Sequence, residues 1–257
     1  VEEAFNIYFV GTAGCGKSTL TVAFHEWLET QGYDSLMVNL DPGVESIAFE
    51  PDIDIRDWIK LVDIMREYGL GPNGAQIAAA DLLAINAPEV MKAIERYDTD
   101  YVLIDTPGQL ELFTFRESSR RIIECFGATH SVICFLMDPI LCKNPNGFVS
   151  SLMLATSTSF RMMIPMLTVI SKSDLLSEED MRRVDGWSTD YYSLLNALED
   201  GVSTAQNQVS IEFLKALETV GVGREIKFAS SETMFGIEDI YNFVQQISAG
   251  GEDLVPR

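Results

Sequence analysis

Positive charge is scarce in this 257-residue chain: 18 Lys and Arg stand against 39 Asp and Glu, a formal net charge of −21. Gripping a nucleic-acid backbone or an anionic membrane takes clustered Lys and Arg, so the general surface is excluded from both roles. Any anionic ligand has to be held locally, by backbone dipoles, a metal ion or a few placed cations. Histidine is rarer still, with only His25 and His130, and the four cysteines (Cys15, Cys125, Cys134, Cys142) form no CxxC pair. That speaks against a zinc site and a disulfide framework and fits a reducing compartment. No apolar run reaches the ~18 residues of a membrane-spanning helix. No signal-peptide pattern opens the chain, so the expected location is cytoplasmic. Repeats, low-complexity tracts and Gly/Ser/Pro linkers are also lacking, which argues against a division into several domains.

What is present is a chain with 47% hydrophobic residues, enough for a substantial core. Short apolar runs recur, each followed by a longer helical pattern, as in the βα units of a parallel sheet. The expected strands are Asn6 to Val10, Ser35 to Leu40, Tyr101 to Ile104, Ser131 to Leu136, Met166 to Ile170 and Ile226 to Phe228. Several are apolar on both faces, as strands covered by helices on each side require. The fold class is α/β: one doubly wound, mainly parallel sheet flanked by helices over residues 1–250. Two helical insertions are expected at about 55–97 and 176–224. In the first, helices are expected at Asp57 to Tyr68, Ala75 to Asn86 and Pro88 to Tyr97, with Pro88 opening its helix. In the second they are expected at Glu178 to Asp185, Tyr191 to Ala197 and Thr204 to Val220. Residues 251–257 read as a tail ending in a protease-site remnant left from expression.

The strongest local signal is Gly11-Thr12-Ala13-Gly14-Cys15-Gly16-Lys17-Ser18-Thr19, a G-x-x-x-x-G-K-[ST] phosphate loop set between the first strand and a helix. Its glycines let the amides from Gly14 through Cys15, Gly16, Lys17, Ser18 and Thr19 converge on one anion at the positive end of that helix. Lys17 would reach the β- and γ-phosphates and the Ser18 hydroxyl would ligate Mg²⁺. Asp105, ending the third strand, is placed to back the metal, and Gly108 to offer its N–H to a γ-phosphate. Gln109 and Glu111 would order an attacking water. Asp41, in Asp41-Pro42-Gly43, would meet the nucleotide through metal-bound water or by positioning the nucleophile; read alone, the tripeptide is an ordinary turn. In Ser171-Lys172-Ser173-Asp174, a buried Asp174 carboxylate would accept from guanine N1 and N2, for which adenine has no equivalent donor pair. The Lys172 stem would lie on the purine face, and the Ser230 region would give amides to the guanine carbonyl. By itself a Lys-x-Asp after a strand is equally an N-cap.

With these motifs in order, the chain resembles the GPN-loop GTPases, within the dimerising P-loop NTPases that include signal-recognition-particle and MinD-like proteins. The deciding residues are Gly71-Pro72-Asn73, between Asp41 and the Asp105 motif. The resemblance implies a Mg²⁺-dependent, GTP-hydrolysing homodimer in which this loop of one subunit, with Asn73 at its tip, enters the site of the other. It also implies protein partners, since eukaryotic relatives are linked to RNA polymerase II assembly. Ser171 departs from the family's commoner Thr and from the Asn of small GTPases. Two other readings stay open: a P-loop kinase, for which Arg116, Arg120 and Arg121 would have to form a cationic lid, and a nucleotide-bound scaffold with negligible turnover.

Overall fold

The computed structural model describes residues 4–45, 47, 49–200, 204–220 and 226–248; the tail at 251–257, and residues 201–203 and 221–225 in and beside the second insertion, lie outside the described residues. Seven strands form one sheet: β1 (Phe5–Gly11), β2 (Ser35–Asn39), β3 (Ile53–Asp54), β4 (Tyr101–Asp105), β5 (Ser131–Met137), β6 (Met166–Ile170) and β7 (Ile226–Phe228). Their order is β3-β2-β4-β1-β5-β6-β7, and the pairings are parallel. The chain fills one side of β1 with β2 to β4 and then crosses to the other with β5 to β7. Connections therefore diverge at the carboxyl end of β1, where a crevice opens in such sheets.

The helices are α1 (Lys17–Gln31), α2 (Leu61–Tyr68), α3 (Pro72–Ile94), α4 (Leu110–Phe113), α5 (Glu117–Phe126), α6 (Pro139–Cys142) and α7 (Pro145–Met162). They continue with α8 (Glu178–Thr189), α9 (Tyr191–Glu199), α10 (Ala205–Val220) and α11 (Ile237–Ser248). Alternation along β1 shows how the sheet divides the core. Phe5, Ile7 and Phe9 pack with Leu20 and Phe24 of α1 and Ile240 and Val244 of α11, whereas Tyr8 and Val10 pack with Ala79 and Leu83 of α3. Successive strand side chains point to opposite faces, so a strand apolar throughout must be covered twice.

Three expectations need correction. A seventh strand exists, Ile53–Asp54, too short for any hydrophobic period to reveal; it is held by pairing with Val38 and Asn39 of β2. The two helices expected at Ala75 to Asn86 and Pro88 to Tyr97 are one, α3, with Pro88 inside it. An interior proline removes one hydrogen bond and costs about 3 kcal/mol, but Ala79, Leu83, Ala87, Val90 and Ile94 form one buried stripe across it. One continuous helix keeps all five on a single face toward the core. Finally, the helix begins earlier than Ala75: Gly71 is its N-cap and Pro72 its first residue. Gly71-Pro72-Asn73 is thus the opening turn of a 23-residue helix, and Asn73 stands exposed on it.

Candidate functional site

Five chain segments, following β1, β2, β4, β6 and β7, meet along the carboxyl edge of the sheet. The turn from β1 into α1 uses Gly14 and Gly16 at φ +78° and +95°, left-handed conformations that a Cβ disfavours. Gly16 is also the N-cap of α1, and no side chain there occupies the first amides of the helix, nor does its first turn carry an acidic residue. The helix end thereby keeps its partial positive charge for a ligand. Lys17 is buried and its Nζ donates to the carbonyls of Gly11 and Thr12 at 3.0 and 3.1 Å, curled over its own loop. Thr19 is exposed, and the Cys15 amide donates to the Thr12 carbonyl at 3.2 Å. Burial raises the pKa of the Cys15 thiol, against the lowering influence of Lys17 and Lys172, so it fills space as a thiol.

Below this loop the Ser18 hydroxyl donates to Asp105 Oδ2 at 2.5 Å, while Asp105 Oδ1 is buried with no partner among the described residues. Burial pushes the Asp105 carboxyl up to about 6; the Ser18 hydrogen bond and Lys17 oppose this, and Asp41 adds to it. A hydroxyl beside a carboxylate with an unsatisfied oxygen is a hard-oxygen donor set, and Mg²⁺ takes one or two such protein groups together with phosphate oxygens. The residues present therefore fit Mg²⁺. Among the described residues no cluster of three or more His, Cys, Asp or Glu side chains forms a separate metal site.

Asp41 joins two segments. Its Oδ1 accepts from the Gly43 amide at 2.8 Å, and its Oδ2 accepts from the Gly108 amide at 2.9 Å. The N–H assigned to a γ-phosphate is here held by a carboxylate, itself an anion of similar hydrogen-bonding capacity. Gln109 and Glu111 are exposed beside it, at the start of α4. Gln76, one turn into α3 and not anticipated from sequence, reaches this corner: its Nε2 lies 3.2 Å from where a Cβ on Gly43 would stand. The opening turn of α3 is accordingly anchored near Asp41 while Asn73 faces outward. Arg116 pairs with Asp81 of α3 and Arg120 with Glu124, so these two cations are engaged in ion pairs on the surface.

On the base side, the Ser171 hydroxyl donates to the Cys15 carbonyl at 2.6 Å and to that of Met137 at 3.1 Å. Lys172, in a left-handed conformation, lays its stem over Gly16 and donates from Nζ to the Gly14 carbonyl at 2.5 Å. These bonds tie the end of β6 to the phosphate loop. Asp174 is exposed, where the sequence suggested burial: it lines an open cavity of about 530 Å³ with Leu176, Met181, Met234 and Phe235. Ser230 also differs from expectation. Its amide is taken by the Phe235 carbonyl at 2.9 Å, and its hydroxyl donates to Asp174 Oδ1 at 2.5 Å, so it orients the carboxylate.

Gly236 supports this loop in a way the sequence alone did not reveal. Its φ is +72°, and an added Cβ would lie 1.8 Å from the Phe228 carbonyl oxygen. Gly236→Ala is expected to lower stability by about 3 kcal/mol or more, through backbone strain and the clash. A melting temperature equal to that of the parent protein would contradict this.

Residues 9–250 match a family model described as a conserved hypothetical ATP binding protein. The chain is 35% identical over 236 residues to the GPN-loop GTPase PAB0955 of Pyrococcus abyssi, covering 91% of this chain and 93% of that one. It is 34% identical over 226 residues to the GPN-loop GTPase QQT2 of Arabidopsis thaliana, covering 83% of this chain and 58% of the longer relative. The crystal structure of PAB0955, described as a GTPase in apo form, superposes with a TM-score of 0.83 at 34% identity, over 95% of this chain and 98% of that one.

Proposed function

Since the chain belongs to the GPN-loop GTPase family, we propose that it is an enzyme that binds GTP across the segments described and hydrolyses the β–γ phosphoanhydride. One observation carries this reading: the base loop is tied to the phosphate loop, through Ser171 on the Cys15 carbonyl and Lys172 on the Gly14 carbonyl, so one nucleotide can span both. The family model's description names ATP. Asp174 favours guanine instead, because its carboxylate accepts from N1–H and the 2-amino group, whereas adenine presents an acceptor at N1 and leaves the carboxylate unpaired.

In this mechanism the amides from Gly14 to Thr19 and the Lys17 ammonium bind the phosphates, the Cys15 amide leaving the Thr12 carbonyl and Lys17 the Gly11 and Thr12 carbonyls to do so. Mg²⁺ would be held by Ser18 with Asp105 behind it, and would supply charge neutralisation at the β- and γ-phosphates. Gly108 exchanges the Asp41 carboxylate for a γ-phosphate oxygen. Asp41 is then released to accept a hydrogen bond from the attacking water, with Gln109 and Glu111 orienting it for in-line attack. The exposure of Asn73 supports its acting across a homodimer, on the partner's nucleotide. We further propose a single domain over residues 1–250, a cytoplasmic location and a role in assembling a multiprotein complex such as RNA polymerase. Family membership supports the assembly role, and a net charge of −21 suits basic protein surfaces better than nucleic acid. No helix among the described residues is long and apolar enough to cross a membrane.

The test is phosphate release with GTP and with ATP, each with Mg²⁺. GTP is expected to be preferred by about 100-fold or more in kcat/KM, and Asn73→Ala and Gln109→Ala are each expected to lower kcat. Preference for ATP, or release only when an acceptor is added, would overturn the reading.

A further inference from the structure

Asp41 holds the attacking water in the proposed mechanism, and behind it lies a hydrogen-bonded network that touches neither nucleotide nor water. Asn39, the last residue of β2, is fully buried and sits in register between Asp54 of β3 and Asp105 of β4. Its Oδ1 accepts from the Asp41 amide at 2.9 Å, and its Nδ2 donates to the Asp41 carbonyl at 3.2 Å. One carboxamide thus grips both backbone polar groups of the residue. Nδ2 also donates to Asp54 Oδ1 at 2.9 Å, which fixes the amide's orientation.

Asp54 is gripped in turn. Its carboxylate accepts from the Arg56 amide at 2.9 Å and from Nε and a terminal nitrogen of the Arg56 guanidinium. The other terminal nitrogen of Arg56 donates to the Val44 carbonyl at 3.2 Å. The segment from Asp41 to Val44 is therefore clamped at its start by Asn39 and at its end by Arg56, with Asp54 joining the two clamps. Burial would raise the Asp54 pKa, but the Arg56 hydrogen bonds outweigh it and hold the carboxyl below its ordinary range. Arg56 is also the cation that Asp41, Asp54 and Asp57 share on this side.

We infer that Asn39, Asp54 and Arg56 are positioning residues for GTP hydrolysis: they fix the backbone from Asp41 to Val44 so that the Asp41 carboxylate can exchange between the Gly108 amide and the attacking water without displacement. This depends on the assignment of Asp41 made above. The two-residue strand β3 has a reason to exist on this account, because it brings Asp54 beside Asn39. A misplacement of about 1 Å at such a carboxylate costs on the order of 100-fold in rate, and the loss falls on the chemical step.

The experiment is steady-state GTP turnover of Asp54→Asn, Arg56→Lys and Arg56→Gln, in the otherwise native protein and again on an Asp41→Asn background, where single-turnover rates are read at excess enzyme. In the native background kcat is expected to fall about 10- to 100-fold with KM within about twofold of the parent. Arg56→Lys should lose less than Arg56→Gln, since it keeps the charge. On the Asp41→Asn background the same substitutions should change the rate by less than about threefold, because a positioning group has nothing left to position. A merely structural role would lower melting temperature on both backgrounds without that dependence. If Asp54→Asn does not fold, Arg56, whose side chain is 36% exposed, carries the test. Parent-like kcat in the folded variants, KM rising in proportion to the loss, or equal losses on both backgrounds would overturn the inference. Parent-like turnover of Asp41→Asn alone would instead overturn the assignment of Asp41 beneath it.

Discussion

Asp174→Asn should lower kcat/KM for GTP by about 100- to 1,000-fold and raise that for xanthosine triphosphate. Two hydrogen bonds to a carboxylate contribute on the order of 1.5 to 3 kcal/mol each, and the carboxamide that replaces it presents one acceptor and one donor. Against guanine, the new N–H faces another N–H. Against xanthine, it faces the 2-carbonyl, and the mismatch disappears. Ser230 makes the change selective, since its hydroxyl, 2.5 Å from Asp174 Oδ1, can donate equally to an amide oxygen and hold it in place. Kinetics with the two triphosphates checks this; undiminished use of GTP would show that Asp174 does not read the base. Ser230→Ala should show a smaller loss in the same direction, through KM.

Ligand-free Asp105→Asn protein should melt higher than its parent at pH 7.5 yet hydrolyse GTP at least about 100-fold more slowly. The folded state raises this carboxyl from an ordinary value of 3.8 to about 6, with burial the dominant cause. A group shifted upward stabilises the fold fully below its unfolded pKa, where it is protonated in both states. That contribution is lost as pH rises from about 4 through about 6, and over about two pKa units it amounts to on the order of 3 kcal/mol. At pH 7.5 the ligand-free parent carries this cost in full, and the neutral carboxamide does not. A gain of about 6–10 °C at pH 7.5, vanishing near pH 4, is the expected calorimetric result. A gap independent of pH would sink the argument. By the same reasoning Mg²⁺-dependent nucleotide binding is expected to strengthen as pH rises through 6, because a metal held by Ser18 with Asp105 behind it would require the ionised carboxylate.

The structure brings together most of the residues that sequence singled out, and the exceptions have a common cause. Gly11 to Thr19, Asp105 to Glu111 and Ser171 to Asp174 were legible because each follows an apolar strand directly, and loop chemistry within a few residues of a strand end is a local property. Pro88 was misread because the rule that proline opens helices is also local. It applied to Pro72, while at Pro88 a buried stripe on α3, visible only when the helix meets the sheet and α5, outweighs the lost hydrogen bond. The sequence points to the Ser230 region for amides to the guanine carbonyl, but the Ser230 amide itself is taken by the Phe235 carbonyl, across a turn whose geometry depends on Gly236.

The network behind Asp41 lies furthest from sequence reach. Nothing within Asn39, Asp54 or Arg56 announces a shared role, and Ile53–Asp54 is too short to show a period. Their association comes from β3 pairing in register with β2, a contact between residues 15 apart. By itself the sequence determined the parallel α/β architecture, the phosphate loop, the order of motifs and the family they resemble, because strand burial and turn chemistry are written in nearest neighbours. Only the tertiary structure decided that Asp41 holds the Gly108 amide, that Asp105 is an incompletely satisfied buried acid, and that Asn73 faces outward from its own chain. Each of those depends on distances between segments far apart in sequence, which packing of the whole sheet sets and no local pattern encodes.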